Sequence, residues 1–355
     1  MDKAFLHELL NTPSVSGHEE QIQQKALDHT AAFCDLQEVD ATGNVLHRIN
    51  PDAPCQVLMM GHIDEIGFLV THIDESGMIK VMTNGGVRVP LYVGARVQII
   101  HEGNKLPGVV CVSRDLVGNK DLKASDLTID IGAESKEQAS ALVAPGDPVC
   151  ADTFVEDLVG ERFTSRAMDN RTGAFVVMEA VRRAKERGVT IGVTAATTVG
   201  EETSMRGAAW AAASHHWDLA IAVDVTYVSD CPGTNPADTG DVRLGGGPVL
   251  CTATTVNKQA NRLLCATAEE LGMPIQWEVA SGHTGTDADR AHVSGKGIPV
   301  ALVSIPLRYM HSSVEVADYR DIENAIELLS AFMQKVHPKI AWNELIVHKN
   351  SGGVI

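Results

Sequence analysis

Two adjacent carboxylates, Glu201 and Glu202, follow the apolar run Val193–Val199 and stand in the turn before a predicted helix. Four more side chains with metal-ligating chemistry take comparable places. His62 follows Val57–Gly61, Asp224 follows Leu219–Val223, and His311 comes a short loop after a run ending near Ile305. Asp169 opens a helix. Imidazole nitrogen and carboxylate oxygen suit zinc and similar divalent ions. Two such ions about 3.5–4 Å apart need one shared ligand and further ligands for each. Asp169 has two oxygens and can bridge. His62 with Asp224 can complete one ion, and His311 with one of the glutamates the other. The remaining glutamate is free to take a proton from water, and on this count either can fill that role. Asp64, two residues after His62, can accept the other imidazole N–H and fix the ring and its tautomer. The set reads as a two-metal hydrolase centre with a carboxylate base.

Taken singly, each group has an ordinary reading: a solvated Glu-Glu turn, an aspartate capping a helix, a histidine satisfied near a strand end. Their joint placement is what carries the inference. In open α/β sheets, ligands bind beyond the carboxyl ends of the strands, and four strand ends here each deliver a ligand to one rim. Asp169, at a helix start, meets backbone N–H groups that favour a carboxylate.

The elements that must position these groups follow from patterning. Ser16 and Glu19 make a capping-box pattern for a helix running towards Phe33. Val45–Ile49 and Gln56–Met60 read as strands, and the second is apolar enough for burial on both faces of a central sheet. From Gly67 to about Gly160 the texture changes. Phe68–His72 and Met78–Met82 flank one polar turn, Arg96–His101 and Gly108–Ser113 another, and Leu127–Ile131 follows, with a short helix near Ser135–Leu142. This is the pattern of a small β-rich unit. Alternation of helices and strands then resumes. Helices are expected over Arg171–Arg187, Thr203–His215, Asn257–Leu271 and from Asp318, with strands over Val193–Val199, Leu219–Val223 and Pro299–Ile305. The expected fold is α/β, with a catalytic domain formed by 1–66 and 161–355 and a β-rich insertion at 67–160.

Composition bounds the remaining possibilities. A chain of 355 residues is long for one core. With 29 Lys plus Arg against 46 Asp plus Glu, the net charge of −17 argues against nucleic-acid partners and anionic membranes. Seven cysteines, an odd number without a Cys-x-x-Cys pair, fit thiols kept reduced in a cytoplasm. The first ten residues carry Asp2, Lys3, His7 and Glu8 and lack an apolar signal core. No Gly-x-Ser-x-Gly elbow is present, and Gly245–Gly247 lacks the Lys-Ser/Thr of a phosphate loop and reads as a turn near the site.

The motifs resemble those of the tetrahedral-type metallo-aminopeptidases, the glutamyl, leucyl and deblocking enzymes, some of which once carried cellulase labels. The matching segments are Gly61–Phe68, Ala167–Gly173, Val199–Glu202, Ala222–Asp224 and Arg308–Ser312, with Gly245–Pro248 and Gly285–Ala288. The resemblance implies a zinc-peptidase-like three-layer catalytic domain with a mixed central sheet, plus an inserted β-barrel-like dimerisation domain. It implies two divalent ions per subunit, zinc foremost and cobalt or manganese as alternatives. His62 and Asp224 are then ligands of one ion, Glu202 and His311 of the other, and Asp169 the bridge. Glu201 is the general base and Asp64 the orienter of His62. The implied substrates are oligopeptides cut at the N-terminal bond, and the implied assembly is dimers building a hollow tetrahedral dodecamer. One departure is visible: Asn170 stands where the family usually has an acidic residue. Rival readings are a related two-metal amidase or deacylase, a glycosidase using two carboxylates, and a non-catalytic assembly protein.

Overall fold

The computed structural model describes residues 1–119, 121–343 and 345. After two helices, Lys3–Leu10 and Glu20–Thr30, come three strands: β1 (Leu36–Val39), β2 (Val45–Ile49) and β3 (Gln56–His62). Six follow: β4 (Gly67–Ile73), β5 (Ile79–Asn84), β6 (Arg96–His101), β7 (Asn104–Val110), β8 (Ile129–Asp130) and β9 (Pro148–Ala151). The remainder are β10 (Glu156–Asp157), β11 (Arg162–Ser165), β12 (Gly192–Thr198), β13 (Leu219–Tyr227), β14 (Val249–Thr252), β15 (Gln276–Val279), β16 (Val300–Leu307) and β17 (Glu315–Asp318).

The large sheet runs β1-β2-β12-β3-β13-β16-β14-β15. It is mixed as expected: β12, β3, β13 and β16 are parallel neighbours, whereas β2 and β14 pair with them antiparallel. Alternation along the central strands sorts side chains onto two faces. Val57, Met59, Val193, Ile221 and Val303 pack with the helices Lys3–Leu10, Met168–Glu186, Lys258–Glu270 and Tyr319–Met333. Leu58, Met60, Ala196, Ala222 and Leu302 face the small residues of Arg206–Ser214 and Ala288–Ala291. The result is three layers with the sheet in the middle.

Strands β4 to β9 close into a barrel, in the order β4-β5-β8-β7-β6-β9, around a core that includes Phe68, Val81, Val97, Ile99 and Ile129. The turn joining β6 to β7 is only Glu102-Gly103, both at positive φ, so β7 begins at Asn104 and not at Gly108.

Several local expectations change. The capping box does not form: the helix is Glu20–Thr30, and the Glu19 carboxylate instead accepts the N–H groups of Gly17 and Gly200 at 2.8 and 3.1 Å. Glu19 is thus drawn away from its own helix to hold the turn before Glu201. The helix expected over Thr203–His215 breaks at Met205, whose φ is +54°, into Glu201–Ser204 and Arg206–Ser214. Strand β13 continues past Val223 to Tyr227, because its ladder with β16 persists to Leu307, so Asp224 lies within a strand and not beyond its end. The first helix, Lys3–Leu10, capped by Asp2, has no counterpart in the sequence reading. Gly245–Gly247 is a pinned turn and not part of the site: Gly245 and Gly247 donate to the Asp321 carboxylate at 2.7 and 2.8 Å. Among the described residues, no helix is long and apolar enough to cross a membrane.

Candidate metal centre

Close approach of the central strand to the long helix brings the ligating groups together. A side chain at Gly61 would meet the Gly173 carbonyl carbon at 2.5 Å, and one at Gly173 the Val223 oxygen at 2.5 Å. These two glycines let the helix start sit between His62 on β3 and Asp224 on β13. Asn170 ties the same turn down: it donates to the Val223 carbonyl at 2.7 Å and accepts from Gly173 N–H at 3.0 Å. A neutral amide does both, whereas a carboxylate there would have to carry a proton to donate. This gives a local reason for the departure noted at that position.

Behind the turn lies a buried ion cluster. The Glu65 carboxylate, three residues after His62, accepts from Arg166 and Arg171, which flank Asp169 in sequence, and Arg171 also donates to the Leu10 carbonyl and the Ser14 hydroxyl. Arg166 Nε and Arg171 Nε are buried without a partner, so what holds the cluster is the shared Glu65 carboxylate together with the Leu10 and Ser14 bonds.

Asp169 occupies the middle. Its Oδ1 is 3.1 Å from His62 Nε2, and its Oδ2 is 3.1 Å from His311 Nε2. One oxygen per imidazole is the disposition that a bridging carboxylate needs. Asp224 Oδ1 and Glu201 Oε2 lie 4.0 and 3.7 Å from His62 Nε2, and Glu202 Oε2 lies 3.7 Å from His311 Nε2. The six groups therefore sort into a His62 side with Asp224 and Glu201, and a His311 side with Glu202. His62, Asp169 and Glu202 each offer a ligand atom within 4.8 Å of the others.

Asp64 serves both halves. Its Oδ1 is 3.4 Å from His62 Nδ1, and its two oxygens accept the N–H groups of Glu201 and Glu202 at 3.1 and 3.3 Å. Two groups that the sequence reading passed over do similar work around His311. Buried Glu315 on β17 accepts the N–H groups of Asp169 (3.2 Å) and His311 (2.9 Å), the latter at φ +62°. The Gly86 carbonyl, between β5 and β6, lies 3.2 Å from His311 Nδ1. A Cβ at Gly86 would stand 2.8 Å from that nitrogen, so glycine is needed where the chain after β5 meets the centre. Asp287, buried, accepts the Thr198 hydroxyl at 2.5 Å.

The electrostatics call for cations. Burial pushes the Glu202 and Asp224 carboxyls well above the carboxylate range, and the other acids of the cluster add to it while His62 opposes. Glu201 is pushed up to about 9 for the same reason. Burial acts on Asp169 too, but the two imidazoles outweigh it and hold this carboxyl well below its ordinary range. Glu202 Oε1 is buried without a hydrogen-bond partner. Convergent carboxylates, two imidazoles and an orphaned oxygen fit divalent cations. The centre opens onto a cavity of about 460 Å³, lined also by Thr226, Tyr227, Glu278 and Thr284–Thr286.

The M42 glutamyl aminopeptidase family model matches residues 43–328. A lysyl aminopeptidase of Pyrococcus furiosus is 30% identical over 351 residues, covering 95% of this chain and 98% of that protein. A TET aminopeptidase from a thaumarchaeal archaeon of marine sediment superposes with a TM-score of 0.88 at 29% identity, over 95% of this chain and 97% of the other. The TET1 peptidase of Pyrococcus horikoshii, which can assemble into a tetrahedron or a large octahedral shell, gives a TM-score of 0.82 at 31% identity, over 94% and 99%.

Proposed function

We propose a mechanism for a chain that belongs to the M42 glutamyl aminopeptidase family and is therefore a hydrolase acting as an exopeptidase at peptide N-termini. In this reading, His62 and Asp224 would hold one divalent ion, Glu202 and His311 another, and Asp169 would serve both. The observation that supports it most directly is the placement of one Asp169 oxygen against each imidazole, 3.1 Å away in both cases. Bound ions would supply Lewis acidity towards the scissile carbonyl and acidify water. Glu201 takes the proton of the attacking water and returns it to the leaving amine. Asp64 holds His62 and the two glutamate N–H groups in register, and Glu315 does the same for Asp169 and His311. No nucleophilic side chain is required, so no acyl-enzyme forms. Zinc suits the donor set, as do cobalt and manganese.

Chelation is expected to abolish release of amino acids from aminoacyl-anilides, and readdition of zinc, cobalt or manganese to restore it. Hydrolysis of N-acylated amino acids but not of free-amine anilides would replace this reading with a deacylase. Absence of turnover with every metal would leave a non-catalytic assembly protein.

The chain's barrel-forming stretch, 67–160, is read as an inserted unit that joins subunits, with 1–66 and 161–355 as the catalytic part. Support comes from the exposed apolar side chains it carries, Met82, Leu91, Val109, Val112 and Val117, the last 70% accessible. The tetrahedral and octahedral shells formed by the Pyrococcus horikoshii relative support self-association, read here as a tetrahedral dodecamer. A native mass near twelve subunits in light scattering is expected, and a monomer at micromolar concentration would overturn the assembly reading. Seven free thiols fit a reducing cytoplasm.

A further inference from the structure

Among the described residues lining the cavity that opens onto the metal centre, one carboxylate is neither a proposed ligand nor the proposed base: Glu278 on β15. It is half-buried, while its strand neighbours Trp277 and Val279 are exposed. Its Oε1 accepts the Ser304 hydroxyl at 2.7 Å, and its Oε2 accepts the Thr226 hydroxyl. Both hydroxyls belong to the strands of the centre: Ser304 is paired with Asp224 in the β13–β16 register, and Thr226 lies two residues beyond Asp224. The carboxylate is thus anchored, yet each oxygen retains a further acceptor direction.

What is lacking around Glu278 is a positive charge. Among the described residues, neither lysine nor arginine lines the cavity. Arg88 reaches only the rim, where it donates to the Tyr227 hydroxyl at 3.3 Å. Burial raises the Glu278 carboxyl above its ordinary range, opposed by the two hydroxyls and by no cation of the protein. The same wall is apolar beside it: Cys251 is its register partner on β14, and Leu302 lies on β16. An apolar wall with a fixed, cation-free carboxylate matches a side chain made of an aliphatic stem and a charged end. An acidic side chain would instead add a like charge to a cavity that already holds Asp169, Glu201, Glu202, Asp224 and Glu278.

We infer that Glu278 selects substrates whose N-terminal residue is lysine or arginine, by pairing with the ammonium or guanidinium of that side chain. The inference rests on the exopeptidase reading above. It is tested on the full-length, metal-loaded enzyme with lysyl, arginyl, leucyl, alanyl and glutamyl p-nitroanilides. The native enzyme is expected to prefer the two basic substrates. Glu278→Gln should lower kcat/KM for lysyl and arginyl substrates by about 30-fold or more while leaving the leucyl value within about threefold. The retained leucyl activity also shows that the variant folds. An equal loss on every substrate would place Glu278 on the α-ammonium common to all of them and overturn the proposal, as would an unchanged lysine-to-leucine ratio. Calorimetric binding of L-lysinamide and L-leucinamide separates this from the premise. If no anilide is cleaved, the exopeptidase mechanism fails, yet a lysine preference in binding that Glu278→Gln removes still upholds the pocket. Equal binding of the two amides overturns it.

Discussion

Replacing Glu201 by glutamine is expected to lower kcat by about 10²–10⁴-fold while two ions per subunit remain bound. The substitution keeps size and shape but removes the capacity to accept a proton. Its backbone N–H stays on Asp64 Oδ1, so the turn that also presents Glu202 should not move. The matched substitution Glu202→Gln separates the two neighbours. Glu202 lies on the His311 side, 3.7 Å from Nε2, with a buried oxygen that no protein group satisfies. Its loss should show first as a lowered metal content and only then as lost turnover. Elemental analysis alongside single-turnover kinetics reads both. If Glu201→Gln loses metal and Glu202→Gln keeps it, the roles are exchanged.

The same pair shows how far sequence reasoning reaches. Side chains delivered from strand ends are legible, because an apolar run followed by His or Glu reads directly as strand and rim. His62 closes β3, and Glu201 and Glu202 follow β12 after Val199 and Gly200, close to where the pattern puts them. Asp224 shows the limit of that rule, since a residue three positions inside β13 reaches the rim when the strand overruns its apolar segment. The hairpins of 67–160 were legible from polar turns between short β-like runs, whereas their barrel form followed only from the resemblance, because closure depends on β6 meeting β9 some fifty residues on.

Other groups around the centre left no signal. Gly86 contributes a carbonyl, and main-chain acceptors have no residue identity to read. Glu315 looks like an ordinary strand acid until its two accepted N–H bonds show it clamping the loop before β17 to the helix start. Glu278 sits on a four-residue edge strand whose alternation of half-buried and exposed residues says nothing about a cavity. Short edge strands carry too few residues for period-two patterning to rise above loop composition. The capping box failed for a related reason: Ser16 and Glu19 have the right spacing, but the Gly200 turn offered Glu19 an N–H that needed a partner.

Asp169→Asn is expected to cost both ions together, and this sets it apart from every other ligand substitution. The carboxylate presents one oxygen to each imidazole, at 3.1 Å on either side. An amide keeps one acceptor oxygen and replaces the other with an NH2 that cannot ligate, so whichever way it turns, one half of the centre loses its shared donor. Losing a group that merely orients a ligand typically costs about 10–100-fold in metal affinity, and losing the shared ligand should exceed that range. Dialysed Asp169→Asn enzyme should contain fewer ions than Asp224→Asn enzyme, in which the Glu202–His311 side is left intact. Its turnover should fall to the level of the chelated native protein and should not recover when zinc, cobalt or manganese is added at concentrations that restore the native enzyme. The N–H of Asp169 remains available to Glu315 and the buried Glu65–Arg166–Arg171 cluster is untouched, so the helix start should keep its place. A normal unfolding transition with no bound metal would therefore locate the effect in ligation. Two ions per subunit surviving dialysis in Asp169→Asn would show that Asp169 does not bridge, and the allotment of His62, Asp224, Glu202 and His311 to two sites would fall with it.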